Sequence, residues 1–438
     1  MEGTFLAVAD RLMEQLRPNE VLLLDFYGEQ SDFVRLNHNR IRQAGTVTRR
    51  HLGLDLIEGR RHASAELDLS GHPGPDVDRL RPLLQSLRTQ RAHLPEDPHL
   101  NFAAKPESTH QRHDNPQPDS EPALGQIMTA AEGMDLVGIW ASGAQYAGFA
   151  NSLGQRNWHS TASFNLDWSC YHDRDKAVKS ALAGFRWEPA ALDAKMAAAR
   201  TQLTMLGTPP KTLEPGRYRV YLAPTALAEI MTLLAWGGFG LKSHRTDQSP
   251  LIKMRTEGRR LSPAVTLSEH RAGGLVPSFT GTGFTLPPQI NLVENGSYRD
   301  CLTGPRSARE YGVAVNAGTE SAQALTMDAG TLGRDDLLTA LDTGLYVSNL
   351  WYTNFSDRND ARITGMTRFA CLWVENGVIQ GPVNVMRFDE SVYRMLGARL
   401  EALTAERELI ADSSSYGRRS NRSMLLPGAL IAGMTFTL

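Results

Sequence analysis

Residues 366–388 read MTRFACLWVENGVIQGPVNVMRF. At the centre, Asn376-Gly377 supplies two adjacent positions that tolerate positive φ, as a two-residue type I′ turn requires. Phe369, Cys371 and Trp373 alternate on one face before the turn, and Val378 and Ile379 resume after it. A turn this short joins only antiparallel neighbours. Pro382 has no N–H to donate, so it ends or edges the return strand. The same punctuation recurs near the N-terminus. EVLLLDFYG reads as a strand ending at a turn. FVRLNHNRIRQAGTVTRRHLGLDLIEGRRHASAEL reads as a strand meander with turns at Asn37-His38-Asn39, Gln43-Ala44-Gly45 and Glu58-Gly59. Antiparallel sheet is the constraint that the other elements must fit.

Helices flank these strands rather than alternate with them. Phe5, Leu6, Ala9, Leu12, Met13 and Leu16 recur at helical spacing, as do Val77, Leu80, Leu83, Leu84 and Leu87. Residues 91–122 are rich in Pro and polar side chains and read as a long loop that buries little. LGQIMTAAEGM is a short helix. LVGIWASGAQYAGFANS and NWHSTASFNLDWSCYH read as strand pairs. Pro189–Leu206 reads as a helix stopped by Gly207 and Pro209-Pro210. A chain of 438 residues exceeds one ordinary core. The expectation is two domains, 1–208 and 209–438. The second opens with the strand RYRVYLA and the helix PTALAEIMTLLAW, and passes through short strands between residues 250 and 330. GLYVSNLWY and the opening stretch follow as strands, then DESVYRMLGARLEAL as a helix and LPGALIAGMTFTL as a closing strand. The fold class is α+β: an antiparallel meander with helices, then a larger antiparallel β-rich domain with few helices.

Charge and cysteine usage exclude several functions. The formal net charge is −2, so no field attracts nucleic acid or an anionic membrane. No apolar run reaches the length that spans a bilayer, and the N-terminus lacks the form of a signal peptide. Cys170, Cys301 and Cys371 are too far apart for a zinc knuckle or redox pair, so reduced thiols and a cytoplasmic location are expected.

No motif for catalysis stands out. His110 and His113 are an i, i+3 pair in the Pro-rich loop, and Glu269-His270 reads as a polar loop pair. His159 and His172 each stand alone. There is no H-E-x-x-H helix and no G-x-S-x-G elbow. Ser413-Ser414-Ser415-Tyr416-Gly417-Arg418-Arg419-Ser420-Asn421-Arg422 is a polar, basic loop. It reads as a solvated loop or as a place to hold an anion such as a peptide C-terminus, because arginine grips carboxylates bidentately.

Three stretches resemble the TldD/PmbA family. FVRLNHNRIRQAGTVTRRHLGLDLI is similar to its N-terminal meander. GLYVSNLWYTNFSDRNDARITGMTRFACLWVENGVIQGPVNVMRF is similar to its hallmark of a GLYV strand, a variable loop and a strand ending ENG before a PV. LPGALIAGMTFTL is similar to its closing strand. In this family TldD-type chains carry an H-E-x-x-x-H helix and a Cys near the C-terminus as metal ligands. Zinc held so activates water for peptide hydrolysis, with the Glu as general base. TldE-type chains, also called PmbA, lack the motif and pair with TldD in a complex that degrades or trims peptides. Members are also described as modulators of DNA gyrase. By this resemblance Ala228-Glu229-Ile230-Met231-Thr232-Leu233 stands where H-E-x-x-x-H would be, and Ser413–Ser415 where the Cys would be. Ala228 and Leu233 cannot bind metal, and no histidine lies between His172 and His244.

The resemblance implies a TldE-type accessory subunit with no cofactor or metal of its own. It would form a homodimer, or a heterodimer with a TldD-type zinc-bearing subunit, around unfolded peptide. Tyr352, Asn354, Arg418 and Arg419 are its candidate peptide contacts. A second reading is a stand-alone peptidase with a rearranged site using His159, His172 or His270. A third is a gyrase-modulating binding protein.

Overall fold

The computed structural model describes residues 1–173 and 176–437. The first half runs α1 (Glu2–Met13), β1 (Glu20–Asn37), β2 (Arg40–Glu58), β3 (Arg61–Asp68), α2 (Pro73–His93), β4 (His110–Arg112), α3 (Ser120–Ala130), β5 (Asp135–Asn151), β6 (Arg156–Tyr171), β7 (Ala177–Gly184) and α4 (Pro189–Leu206). Its strands form a seven-stranded sheet in the order β3-β2-β1-β5-β6-β4, with β7 also on β6. The β1–β2 turn has His38 and Asn39 at φ 49° and 51°, the left-handed pair that a I′ turn demands. All pairings are antiparallel except that of β4, which lies parallel to β6.

Side-chain alternation gives this sheet two different faces. Leu22, Leu24, Phe26, Val34 and Leu36 of β1 share one face, and all are buried. α1 and α2 cover one end of it through Phe5, Leu12, Leu80 and Leu84. α3 and α4 cover the other end through Ile127, Leu192 and Met196, around Trp140 and Trp168. The opposite face carries Asp25, Tyr27, Glu29 and Ser31 and turns towards the second half of the chain.

The second half runs β8 (Gly216–Leu222), α5 (Pro224–Ala235), α6 (Leu241–Arg245), α7 (Ile252–Thr256), β9 (Leu267–His270), β10 (Gln289–Glu294), β11 (Ser297–Tyr298), α8 (Pro305–Tyr311), β12 (Ala324–Met327), α9 (Leu337–Leu341), β13 (Gly344–Asp357), β14 (Arg362–Glu375), β15 (Val378–Pro382), β16 (Arg387–Ser391), β17 (Leu400–Ala411) and β18 (Ser423–Phe436). These strands form an eleven-stranded sheet, and β18 pairs with β8 as well as β16. The path β18-β16-β14-β13-β8 therefore returns on itself. α5 packs on it with Ala226, Leu227, Ile230, Met231 and Leu234 all buried. A helix this apolar belongs inside a core.

The hairpin at Asn376-Gly377 forms as the sequence requires, at φ 52° and 74°. Other elements differ from expectation. EVLLLDFYG does not stop at a turn, because β1 continues to Asn37; Gln43-Ala44-Gly45 lies inside β2. Continuous pairing between β1 and β2 overrides the local turn chemistry. LVGIWASGAQYAGFANS and NWHSTASFNLDWSCYH are two long strands paired with each other, and β7 follows them. DESVYRMLGARLEAL is not a helix: its ends lie in β16 and β17. A single turn at Arg394–Ala398 joins them, broken at Gly397 (φ −110°, ψ −115°). The larger sheet is mixed, because β8 lies parallel to β13 and β12 parallel to β18. Residues 91–122 do more than loop. β4 joins the sheet, and Leu100 and Phe102 pack beside Phe279. In the closing stretch, Leu438 lies outside the described residues. Cys170, Cys301 and Cys371 are buried and unpaired. No helix among the described residues is long and apolar enough to cross a membrane.

One buried charge fastens α2 to the first sheet. Glu20 accepts from Arg88 Nε at 2.9 Å and Nη2 at 2.8 Å, and from Arg91 Nη2 at 3.2 Å. Burial alone raises its pKa, but the Arg88 hydrogen bonds, with those from Arg17 N–H and Arg91, lower it to about 2. A depressed carboxylate stabilises the fold above its unfolded pKa near 4.5, and that stabilisation is lost as pH falls through the folded value. The stability advantage of the native chain over Glu20→Gln should shrink by about 3 kcal/mol between pH 4.5 and pH 2. Urea unfolding of both proteins across that range measures it.

Candidate functional site

The second face of the first sheet is polar and buried. Along β1, Asp25, Tyr27, Glu29 and Ser31 stand opposite Phe149, Ala147, Gln145 and Gly143 of β5. Asn157, His159, Thr161 and Ser163 of β6 extend the row. Glu29, Ser31, Gln145, Asn157, His159, Thr161 and Ser163 are all buried. Two segments of the second half bury them. Phe279 joins Leu23, Ile57 and Phe149 in an apolar cluster, and Gln155 Nε2 donates to Gly283 O at 2.7 Å. The other segment is the loop of residues 412–422.

Arg419 is the centre of that second contact. Its Nη1 donates to Ser31 Oγ and Gly143 O, each at 3.2 Å. Its Nη2 donates to Ser163 O at 3.1 Å and Oγ at 2.9 Å. Its N–H donates to Glu29 Oε2 at 3.2 Å, and its carbonyl accepts from Gln145 Nε2 at 3.1 Å. Burial pulls the guanidinium pKa down, against Glu29 and Tyr27, which hold it up. Gly143 itself sits close against β1: a Cβ there would lie 2.1 Å from Gln30 O.

A cavity of about 570 Å³ opens beside this contact, between the two halves. Asp25, Tyr27, Glu269, Arg271, Arg418 and Arg422 are among its lining residues. Arg418 lies over the Tyr27 ring, 4.6 Å from its centroid. Asp25 keeps solvent contact, yet the surrounding protein raises its carboxyl pKa, and Arg418 partly offsets that. Burial likewise raises Glu269, against Arg271 and two backbone N–H groups. Those N–H groups belong to Gln323 and Ala324, at 3.0 and 3.1 Å, with Arg271 at 3.5 Å. Glu269 is thus a buried, ion-paired strand residue rather than part of a polar loop. The first half contributes the Asp25 carboxylate to the cavity wall, and the second half contributes Glu269 and the guanidinium groups of Arg271, Arg418 and Arg422. Such a lining suits a polar main chain.

The residues singled out in the sequence scatter. Arg418 and Arg419 both line this cavity, but only Arg418 is exposed; Arg419 is 6% exposed and turned inward. Tyr352 and Asn354 lie on β13, away from the cavity lining, with Tyr352 77% exposed at φ 55°. His159 is buried, its ring 5.3 Å from that of His113, and burial lowers its pKa to about 4. His172 follows β6 and packs beside Gly207, and His270 ends β9. The fold does not bring these histidines into one cluster. Among the described residues no group of three or more His, Cys, Asp or Glu is placed to hold a metal. On α5, Ala228 and Leu233 are buried in the core, while Glu229 points outward. Burial of its surroundings raises the Glu229 pKa, and Lys179 lowers it. Asp25, Tyr27, Glu269 and Arg271 carry no motif that would single them out from sequence. The available signal was the run of polar residues at alternate positions of β1 and β6, which marks a second face.

Residues 215–438, just over half of the chain, match the model of the PmbA/TldA metallopeptidase C-terminal domain. The chain belongs to the TldD/PmbA family. No curated protein matches it in sequence. Its fold is similar to that of TldE from Thermococcus kodakarensis, with a TM-score of 0.78 at 14% identity over 99% of this chain and 100% of that one. A candidate modulator of DNA gyrase from Thermotoga maritima gives 0.74 at 14% identity over 99% and 100%. Another, from Bacteroides thetaiotaomicron, gives 0.74 at 14% over 99% and 98%. For a TldD/PmbA chain, the residues on α5 do not fit a zinc ion. The side chains of Ala228 and Leu233 carry no lone pair, and they fill the core.

Arg419→Ala removes the guanidinium donors to Ser31 Oγ, Gly143 O and the O and Oγ of Ser163, and should destabilise the protein by about 2–4 kcal/mol. Arg418→Ala, at an exposed site, should change stability by less than about 1 kcal/mol. Denaturant unfolding of both variants checks the contrast.

Proposed function

We propose that this chain is a TldE-type accessory subunit that pairs with a TldD-type zinc-bearing partner and walls part of a chamber holding unfolded peptide. The observation that carries the reading is α5. Where the family's metal helix would present two imidazoles, this helix presents Ala228 and Leu233, packed in the core. Glu229 alone of the H-E-x-x-x-H set remains, and a carboxylate without a metal-bound water has nothing to activate. The full-length likeness to a protein called TldE supports the subunit type.

Two features support peptide as the ligand. β8 pairs β13 only at Leu345–Val347, so beyond that point β14 is the one strand paired with β13. Tyr352 and Asn354 lie on this stretch, where an extended peptide adds main-chain hydrogen bonds irrespective of its sequence. The cavity at Asp25 and Arg418 offers charges of both signs to a peptide main chain or terminus. Arg419 is spent on the protein itself, which leaves the exposed Arg418 and Arg422 to bind.

The test is made on the full chain, purified without added metal, alone and with a cognate TldD-type chain. Elemental analysis should find no stoichiometric zinc in this chain. Light scattering should find a mixed complex, and only that complex should cleave unfolded peptide in a chelator-sensitive way. Stoichiometric zinc in the isolated chain, or chelator-blocked cleavage by it alone, overturns the proposal.

A further inference from the structure

A second cavity, of about 340 Å³, lies where α4 and β7 of the first half meet the start of α5. The first N–H groups of a helix have no intrahelical acceptor. α5 begins with Ala223 at its N-cap, which brings no side-chain acceptor, and Pro224 follows. Ala223, Pro224 and Thr225 all line the cavity, so this uncapped, positively polarised helix end opens into it. Thr225 Oγ1 is turned away, donating to Ser348 O at 2.6 Å.

An independent observation points to a missing ligand. Ser348, 6% exposed, lines the same cavity, and its Oγ has no hydrogen-bond partner. A buried hydroxyl without a partner costs about 1–3 kcal/mol, so such groups are normally satisfied. The remaining lining says what could satisfy it. Arg334 is exposed and has no carboxylate partner among the described residues. Lys195 is engaged by Glu408 at 2.7 Å and Lys179 by Asp167 at 3.3 Å. Apolar walls come from the alanine face of α4 and the paired rings of Tyr221 and Tyr346, 5.3 Å apart.

We propose that this cavity holds the free carboxylate of a short peptide, with the carboxylate at the α5 N-terminus, Ser348 Oγ and Arg334. Glu406 also lines the cavity, and its carboxylate has no ion-pair partner among the described residues. A simple acid would leave that charge facing another. A peptide brings N–H donors for Glu406 along with its carboxylate, and its terminal side chain meets the alanine and tyrosine walls. The peptide body of the ligand rests on the reading of this chain as a peptide-holding subunit; the carboxylate rests on the cavity alone.

Titration calorimetry on the full chain tests this with N-acetyl-Ala-Phe, its C-terminal amide, and phenylacetate. The free acid should bind, with the amide and phenylacetate at least roughly tenfold weaker. Arg334→Ala and Ser348→Ala should each weaken the acid roughly tenfold. Arg334 is exposed, so its variant reports on binding without the packing change that Ser348→Ala carries; a thermal melt checks both. No heat with the free acid, or equal binding of acid and amide, overturns the proposal. Phenylacetate binding as tightly as the peptide overturns the peptide assignment. A chain that is zinc-free and pairs with its partner yet ignores the free acid sinks this inference alone. A chain that binds the acid but carries its own zinc sinks the accessory-subunit reading alone.

Discussion

The insertion of Arg419 into the polar face of the first sheet is the interaction on which the candidate site depends. A guanidinium buried there is tolerable because its two amino groups meet two backbone carbonyls and two hydroxyls, while its own main chain meets Glu29 and Gln145. Buried charge without such partners is costly. That requirement fixes the register between the 412–422 loop and three strands of the other half. Gly143 answers a separate constraint, the close approach of β5 to β1, where any side chain would collide with Gln30 O. The cavity lined by Asp25, Arg418 and Glu269 exists because this contact holds the two halves together without filling the space beside it.

α5 expresses a different constraint. The strands β18, β16, β14, β13 and β8 close on themselves, and a helix packed against them must be apolar on most of its surface. Ala228 and Leu233 of α5 are hydrocarbon and pack in that core. At its N-terminal end, Ala223, Pro224 and Thr225, with Ser348 beside them, line a cavity. Both cavities are lined by residues from the two halves of the chain.

The strands punctuated by short turns were legible in the sequence because a I′ turn needs residues tolerant of positive φ. Asn39 and Gly377 are such residues, and both turns formed. The apolar helices α1, α2, α4 and α5 were legible because their spacing survives any tertiary context. Where local chemistry was outvoted, the winner was long-range pairing. Gln43-Ala44-Gly45 has turn composition, but eighteen residues of β1 run beside it. Residues 389–403 have helical composition, but Asp389–Ser391 pair with β14 and Gly397 breaks the turn between them. Arg418 and Arg419 were both legible as candidates for anion binding. Only the fold separates them, because one is exposed on a tyrosine ring and the other is consumed by the opposite sheet.

By itself, the sequence determined the fold class, the helix–strand order of most elements, the two hairpins and the hydrocarbon character of α5. These follow from local backbone preference and from periodicity, which any chain carries wherever it folds. The tertiary structure alone decided that β18 pairs with β8, that alternate polar residues of β1 and β6 form an interface rather than a wet surface, and that Asp25, Glu269 and Arg418 share one cavity. Those outcomes depend on contacts between residues hundreds of positions apart, whose pairing is set by burial and hydrogen-bond satisfaction and leaves no local mark.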